Sequence, residues 1–406
     1  MAVGEYPFPS MPPVAGVKLA TASAGIKKPG RQDVVLIELA EGSRAAGVFT
    51  LNAFCAAPVT LCREYLKAAS TRYLVINSGN ANACTGLRGR QDAIATSEAV
   101  AQLGGVQAAQ VLPFSTGVIG EPLPVQKITA VLPQAHESLS ESGWESAARA
   151  IMTTDTRPKG FTGQVQHDGH TITVNGIAKG AGMIKPNMGT MLAYIATDAD
   201  IAQPVLDDLC KEAANRSFNR ITIDGDTSTN DSCILMATGK AGAPGINEAE
   251  GTLYEKVREL IIRAHEYLAK CIVADGEGAT KFVTLEVSGG ATGDECLQVG
   301  YAVAHSPLIK TAFFASDPNW GRIVAAVGYA GVAGLDANAV RIHLNDTLIV
   351  ENGGRADSYT EEQGQAVMDQ AEITIRIDLG RGSSAETLWT TDLSHEYVRI
   401  NADYRS

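Results

Sequence analysis

The 406-residue chain has no CxxC pair, no HExxH, no GxxxxGK[ST] phosphate loop and no GxSxG elbow. Structural zinc, zincin, phosphate-loop and α/β-hydrolase chemistries therefore lose their usual anchors. Gly180-Ala181-Gly182 lacks the third glycine and the helix of a dinucleotide fingerprint. Positive charge is also scarce, with 33 Lys+Arg against 45 Asp+Glu and a net charge of −12, which argues against phosphate backbones and anionic lipid as partners. The longest apolar stretch, Ile323 to Leu335, is interrupted by glycine and is shorter than the roughly 20 residues a bilayer requires. Seven scattered cysteines suggest a reducing compartment. The N-terminus carries Glu5 and several prolines where a secretory signal would have a basic and then an apolar region, so a cytoplasmic protein is expected.

What the chain does have is alternation. β-type runs at Val34–Leu39, Tyr73–Asn77, Thr171–Val174, Ala193–Ala196, Cys233–Ala237 and Phe282–Val287 are interleaved with helical stretches at Gln91–Leu103, Trp144–Met152, Pro204–Ala214 and Leu253–Ile272, an α/β pattern with no linker or repeat. In the last helix Val257, Leu260, Ile261, Ala264, Leu268 and Ile272 make one buried stripe. Asp168-Gly169, flanked by alternating runs, predicts a hairpin turn. His167 and His170 are a close histidine pair, but they fall on that turn, where solvation is the commoner fate, and no metal site is assigned.

The most unusual segment follows the hairpin. Asn175 to Asp198 packs Gly176, Gly180, Gly182 and Gly189 around a proline just before an apolar strand, as a backbone in special geometry requires. Thr190 directly follows Gly189. A strained Gly-Thr peptide bond can be attacked by the threonine Oγ, giving an ester in place of the amide. That shift frees an α-amine of pKa about 7.7–8.0, and hydrolysis of the ester restores the hydroxyl, for which the amine can serve as base. Taken by spacing alone, Thr190 is more simply a β-branched residue opening a strand.

Lys179-Gly180-Ala181-Gly182-Met183-Ile184 and Pro186-Asn187-Met188-Gly189-Thr190-Met191-Leu192 resemble the self-cleavage signature of the ornithine acetyltransferases, the arginine-pathway glutamate N-acetyltransferases of the ArgJ type. Six further blocks match in order: Asn77–Ala83, Phe114–Gly120, Ile151–Thr156, Ser306–Thr311, Asp317–Arg322 and Tyr404–Ser406. The resemblance spans essentially the whole chain. Departures are small: Gly189 where many members have alanine, Lys185 where they are often small or apolar, and Arg157 where they are often aromatic. Lys185 and Arg157 are candidates for tuning the pocket edge.

The resemblance implies a layered α/β sandwich similar to N-terminal-nucleophile hydrolases but with different connectivity, plus a smaller C-terminal α/β lobe at about 285–406. It implies self-cleavage between Gly189 and Thr190 into chains 1–189 and 190–406 that stay associated, with two of each in the assembly. Thr190 would take acetyl from N2-acetylornithine and pass it to L-glutamate in a ping-pong cycle, with no cofactor. Whether acetyl-CoA is a second donor stays open. Thr116 and Gly117 match the oxyanion positions, and the residues themselves read as a Ser-Thr-Gly turn after the strand Val111–Phe114. Thr153, Lys179, Glu277, Asn401 and Ser406 match the substrate-binding positions together with Thr190, Lys179 as a cation for the α-carboxylate and Glu277 as an acceptor for an ammonium. Placing Asn401 and Ser406 there requires the C-terminus to fold back, although chain ends usually fray. The alternatives are a self-processing aminopeptidase of the same superfamily, which releases its acyl group to water, and a silent amino-acid-binding protein in which Thr190 is structural.

Overall fold

The computed structural model describes residues 2–185 and 191–402. Gly189, Thr190 and Ser406, three of the expected functional positions, lie outside the described residues.

In chain order the first half contains β1 (Val17–Ala22), β2 (Val34–Leu39), β3 (Arg44–Phe49), α1 (Ala57–Ala68), β4 (Tyr73–Asn80), α2 (Gly86–Gly104), β5 (Val111–Val118), α3 (Val125–Glu137), α4 (Trp144–Ala150), β6 (Lys159–His167) and β7 (His170–Lys179). There follow β8 (Leu192–Thr197), α5 (Gln203–Arg216), β9 (Ser232–Ala237) and α6 (Thr252–Ala274). These elements build two sheets, ordered β1-β2-β4-β5 and β3-β9-β8-β7-β6.

The side-chain period of two explains how they stack. Along β2, Val35, Ile37 and Leu39 point into the core between the sheets, and Val34 and Leu36 point to the core beneath α2 and α3. Along β8, Leu192, Tyr194 and Ala196 face the first sheet, while Ala193 and Ile195 face α5 and α6. Both sheets are thus buried on two faces, which is why their central strands read as unbroken apolar runs. The layers run helix, sheet, sheet, helix, the sandwich expected from the resemblance. Trp144 of α4 and the Phe114–Tyr194 edge-to-face pair, centroids 5.2 Å apart, fill the middle of the inter-sheet core.

The remaining chain forms β10 (Phe282–Gly290), α7 (Gly293–Ala304), α8 (Pro307–Phe314), α9 (Trp320–Tyr329), β11 (Arg341–Leu344), β12 (Thr347–Glu351), β13 (Gly354–Arg355), α10 (Glu361–Met368), β14 (Glu372–Asp378), β15 (Ser384–Thr391) and α11 (His395–Ala402). A third sheet, ordered β13-β12-β11-β14-β10-β15, packs on α7, α8 and α9 with its own core. No described helix is long and apolar enough to cross a membrane.

Two local expectations are met closely. Residues 168 and 169 turn with φ of +47° and +81°, joining β6 to β7 with His167 opposite His170. The stripe on α6 is buried against β6 and β7. One is corrected: Ser115, Thr116 and Gly117 are not a turn but the last part of β5, hydrogen-bonded to β4 in parallel, with the register breaking at Asn80.

Candidate active site

The end of β5 departs from regular structure because Gly117 has a φ of +135°, and a Cβ there would lie 2.3 Å from the carbonyl carbon of Gly79. Only glycine fits, and it lets the strand end turn its backbone against β4. Thr116 lines a cavity of about 290 Å³ at the ends of β5 and β7.

Lys179, the last residue of β7, crosses that cavity. Its Nζ donates to Thr153 Oγ1 at 2.8 Å and to Thr116 Oγ1 at 3.3 Å, and lies 4.0 Å from Asp155. Because Thr116 Oγ1 accepts from an ammonium, its own O–H is left to point elsewhere, as an oxyanion donor needs. Burial is the largest influence on Lys179 and pulls its ammonium below the ordinary lysine range, against the opposing pull of Asp155.

Beneath Lys179 lies a buried ionic cluster that the sequence analysis did not anticipate. Lys159 Nζ is 2.6 Å from both Asp155 Oδ1 and Asp275 Oδ2, with all three side chains essentially unexposed. Asp155 also accepts from the backbone N–H groups of Gly180 at 2.7 Å and Thr153 at 3.0 Å, while Asp275 accepts from Thr156 N–H at 3.0 Å. Burial alone would push the Asp155 carboxyl up, but Lys159, Lys179 and the Gly180 N–H outweigh it and hold it well below the usual carboxylate range. One carboxylate therefore positions both Thr153 and the glycine-rich segment after β7.

The opposite wall comes from the second half of the chain. After α6 the backbone N–H of Glu277 donates to Ala181 O at 2.7 Å, which brings its carboxylate over Gly182, where a Cβ would lie 2.5 Å from it. Asn401 of α11 donates to Glu277 Oε2 at 2.7 Å. The same helix is fastened by Tyr397, whose hydroxyl donates to Asp224 at 3.2 Å, and Asp224 accepts from the N–H groups of Met183 at 2.6 Å and Ile184 at 2.9 Å. The C-terminal helix does fold back over the pocket.

Thr116, Gly117, Thr153, Lys179, Glu277 and Asn401, spread over 286 positions of sequence, thus line one cavity. It presents a cation on one side and a carboxylate on the other, and adjoins a smaller recess lined by Ile184, Met191 and Leu192. Arg157 does not belong to that lining. Its guanidinium donates to the carbonyls of Gly4 at 2.9 Å and Val3 at 3.0 Å and lies over Tyr6, so it anchors the N-terminal segment and not the pocket edge. Lys185 is likewise absent from the lining. Among the described residues no group of three or more His, Cys, Asp or Glu is placed to hold a metal ion.

A family model, ArgJ family, matches residues 18–406. The chain belongs to the ArgJ family. It is 62% identical, over the whole of both chains, to each of two proteins named arginine biosynthesis bifunctional protein ArgJ, from Pseudomonas fluorescens (strain Pf0-1) and Pseudomonas syringae pv. tomato (strain ATCC BAA-871 / DC3000). A solved structure described as ornithine acetyltransferase complexed with ornithine, from Mycobacterium tuberculosis, is 38% identical, covering 43% of this chain and 93% of its own, with a TM-score of 0.38.

The cluster of Lys159, Asp155 and Asp275, and a further buried acid, Asp231, were missed from sequence. The signal for Asp231 was present: a charged residue directly before a strand, Ser232–Ala237, that is buried throughout.

Proposed function

We propose that this chain transfers the acetyl group of N2-acetylornithine to L-glutamate through an ester on Thr190, as an enzyme of arginine biosynthesis. The observation that carries the reading is the convergence of Lys179 and Glu277 on one cavity with Thr116 and Gly117, beside the recess lined by the start of β8, in a member of the ArgJ family.

The roles follow from the chemistry of each group. The precursor cuts itself between Gly189 and Thr190, giving chains 1–189 and 190–406, the second of which carries the smaller lobe at about 285–406. The freed amine of Thr190 takes the proton of its own hydroxyl as Oγ attacks the acetyl carbonyl. Thr116 O–H and the Gly117 N–H stabilise the oxyanion, each donor contributing about 2.7–4 kcal/mol to lowering the barrier. Lys179 pairs with the substrate α-carboxylate, with Thr153 holding the ammonium in place, and Glu277, oriented by Asn401, accepts from the side-chain ammonium of the donor. Ser406 completes the binding set. Ornithine leaves as the proton passes to its nitrogen, and the amine of glutamate then attacks the ester, restoring the threonine hydroxyl. One amide replaces another, so the exchange is close to thermoneutral.

The two relatives carry the word bifunctional in their names, which supports a second activity in which acetyl-CoA acylates Thr190. The working form is two copies of each chain in the cytoplasm, acting on small molecules.

The test is stoichiometric. Purified protein given N2-acetylornithine and L-glutamate releases ornithine and N-acetylglutamate in equal amounts, and acetyl-CoA with glutamate alone gives N-acetylglutamate at a slower rate. Release of acetate in place of N-acetylglutamate would assign the site to hydrolysis, the aminopeptidase-like reading.

A further inference from the structure

We propose that a second cavity, lined by Lys27, Lys28 and Arg31, is an anion subsite that holds the phosphates of a nucleotide thioester while its acyl end reaches the active-site cavity. The inference rests on the second activity proposed above, in which acetyl-CoA is a donor, and gives that donor a binding place of its own.

The second cavity has a volume of about 230 Å³ and adjoins the first, since Gly117, Val118, Thr153 and Thr154 line both. The C-terminal helix serves both as well, with Ile400 in the lining of one and Asn401 in that of the other. A pocket that encloses a whole ligand usually measures about 300–1,000 Å³. The smaller volume suits one charged portion of a ligand whose remainder lies outside it.

Charge sets this cavity apart. The chain carries 33 Lys+Arg against 45 Asp+Glu, yet the cations at positions 27, 28 and 31 all line it. The active-site cavity has Lys179 alone, which the transfer reading assigns to an α-carboxylate, so a phosphate needs a second set of cations. Lys28 forms no hydrogen bond or ion pair among the described residues. One nitrogen of Arg31 donates to Met152 O, next to the shared wall of Thr153 and Thr154. A guanidinium has five N–H donors, so others stay available to a phosphate.

The loop that carries these cations, between β1 and β2, is held in shape. Each oxygen of Asp33, the one acid in the lining, accepts a backbone N–H at 2.6 Å, from Ala24 and from Ile26. Lys127 Nζ of α3 donates to Gly25 O at 3.0 Å. The loop also packs on the end of β4, where a Cβ on Gly79 would lie 3.2 Å from Lys27 Cβ. A loop already fixed need not be ordered when the ligand arrives, which favours affinity. The side-chain carboxylate of glutamate is the other anion within the chemistry of these cations, and the test separates the two.

The experiment is steady-state kinetics of the purified protein with acetyl-CoA and with N2-acetylornithine as alternative donors to glutamate, in wild type, Lys28→Glu, Lys28→Arg and Arg31→Gln, with melting temperature as the folding control. Lys28→Glu should raise KM for acetyl-CoA at least tenfold more than KM for N2-acetylornithine or glutamate. Lys28→Arg, which keeps the charge, should stay near wild type. In wild type KM for acetyl-CoA should climb with added salt, and less steeply in Lys28→Glu. An unchanged KM for acetyl-CoA in both Lys28→Glu and Arg31→Gln overturns the subsite. An equal rise in KM for glutamate gives the cations to the acceptor's carboxylate and overturns it as well. A wild type inactive with acetyl-CoA removes that donor, and one inactive with N2-acetylornithine too removes the transfer reading. In either case CoA titrated calorimetrically into wild type and Lys28→Glu decides the subsite: binding at least tenfold weaker in the variant supports it, and equal binding or none overturns it.

Discussion

The side-chain amide of Asn401 donates to Glu277 Oε2 across 2.7 Å, joining the last helix of the chain to the acidic wall of the pocket. A hydrogen bond to a charged group contributes about 1.5–3 kcal/mol, and 1.4 kcal/mol is about tenfold in binding. Asn401→Ala should therefore raise KM for N2-acetylornithine by about 10- to 100-fold and change kcat less, as steady-state kinetics will show. α11 buries no side chain completely, so the melting temperature should stay within about 1 °C of wild type.

Lys179→Met removes the cation from the wall of the cavity and keeps most of its volume. The transfer rate at low substrate should fall at least 100-fold, because the α-carboxylate then enters a buried site without a counter-charge. The wild-type pH profile carries a sign as well. Burial holds the Lys179 ammonium below the ordinary lysine value, so kcat/KM should decline on the alkaline side at a pH below about 10.4, and Lys179→Arg should move that limb upward.

Acid stability should report on Asp155. Its folded carboxyl is held below the unfolded value of about 3.9, so its contribution is fully present above that pH and is lost as pH falls toward the folded value. Asp155→Asn leaves Lys159 buried with one acid in place of two, and should destabilise the protein by about 3–5 kcal/mol at pH 7, less at pH 3, in denaturant titrations.

Gly117→Ala tests the backbone at the end of β5. Its Cβ would sit 2.3 Å from a backbone carbon of Gly79, and the φ of +135° is closed to alanine, so the strand end must shift by more than a hydrogen bond tolerates. Acetyl transfer should drop at least 100-fold with the α/β circular-dichroism signature retained. Wild-type turnover in this variant would remove Gly117 from the oxyanion site.

Much of the fold was legible where structure follows local pattern. The Asp168-Gly169 turn, the α6 stripe and the strands β2 and β8 each reflect a residue pattern or a turn residue within a short window. α1 and α3 were not marked, since α1 opens on a proline and α3 carries Pro133 inside it, both of which read as breaks. Thr116 and Gly117 read as a turn because glycine after a strand usually is one. Here the positive φ serves a close approach to Gly79 within the sheet.

The site was legible only through the family resemblance. Lys179 and Glu277 are ordinary charges by composition, and nothing in their spacing shows that Asp155 and Asp275, 120 residues apart, share Lys159 and so bring the two walls together. Such long-range ionic contacts leave no periodicity behind.

The central claim is that Thr190 becomes an N-terminal nucleophile, and a denaturing intact mass of freshly purified protein with N-terminal sequencing tests it most directly. The account predicts two chains of 189 and 217 residues, the second beginning at Thr190, and a single uncut chain from Thr190→Ala with no transfer activity. One intact wild-type chain that still moves acetyl from N2-acetylornithine to glutamate would contradict it.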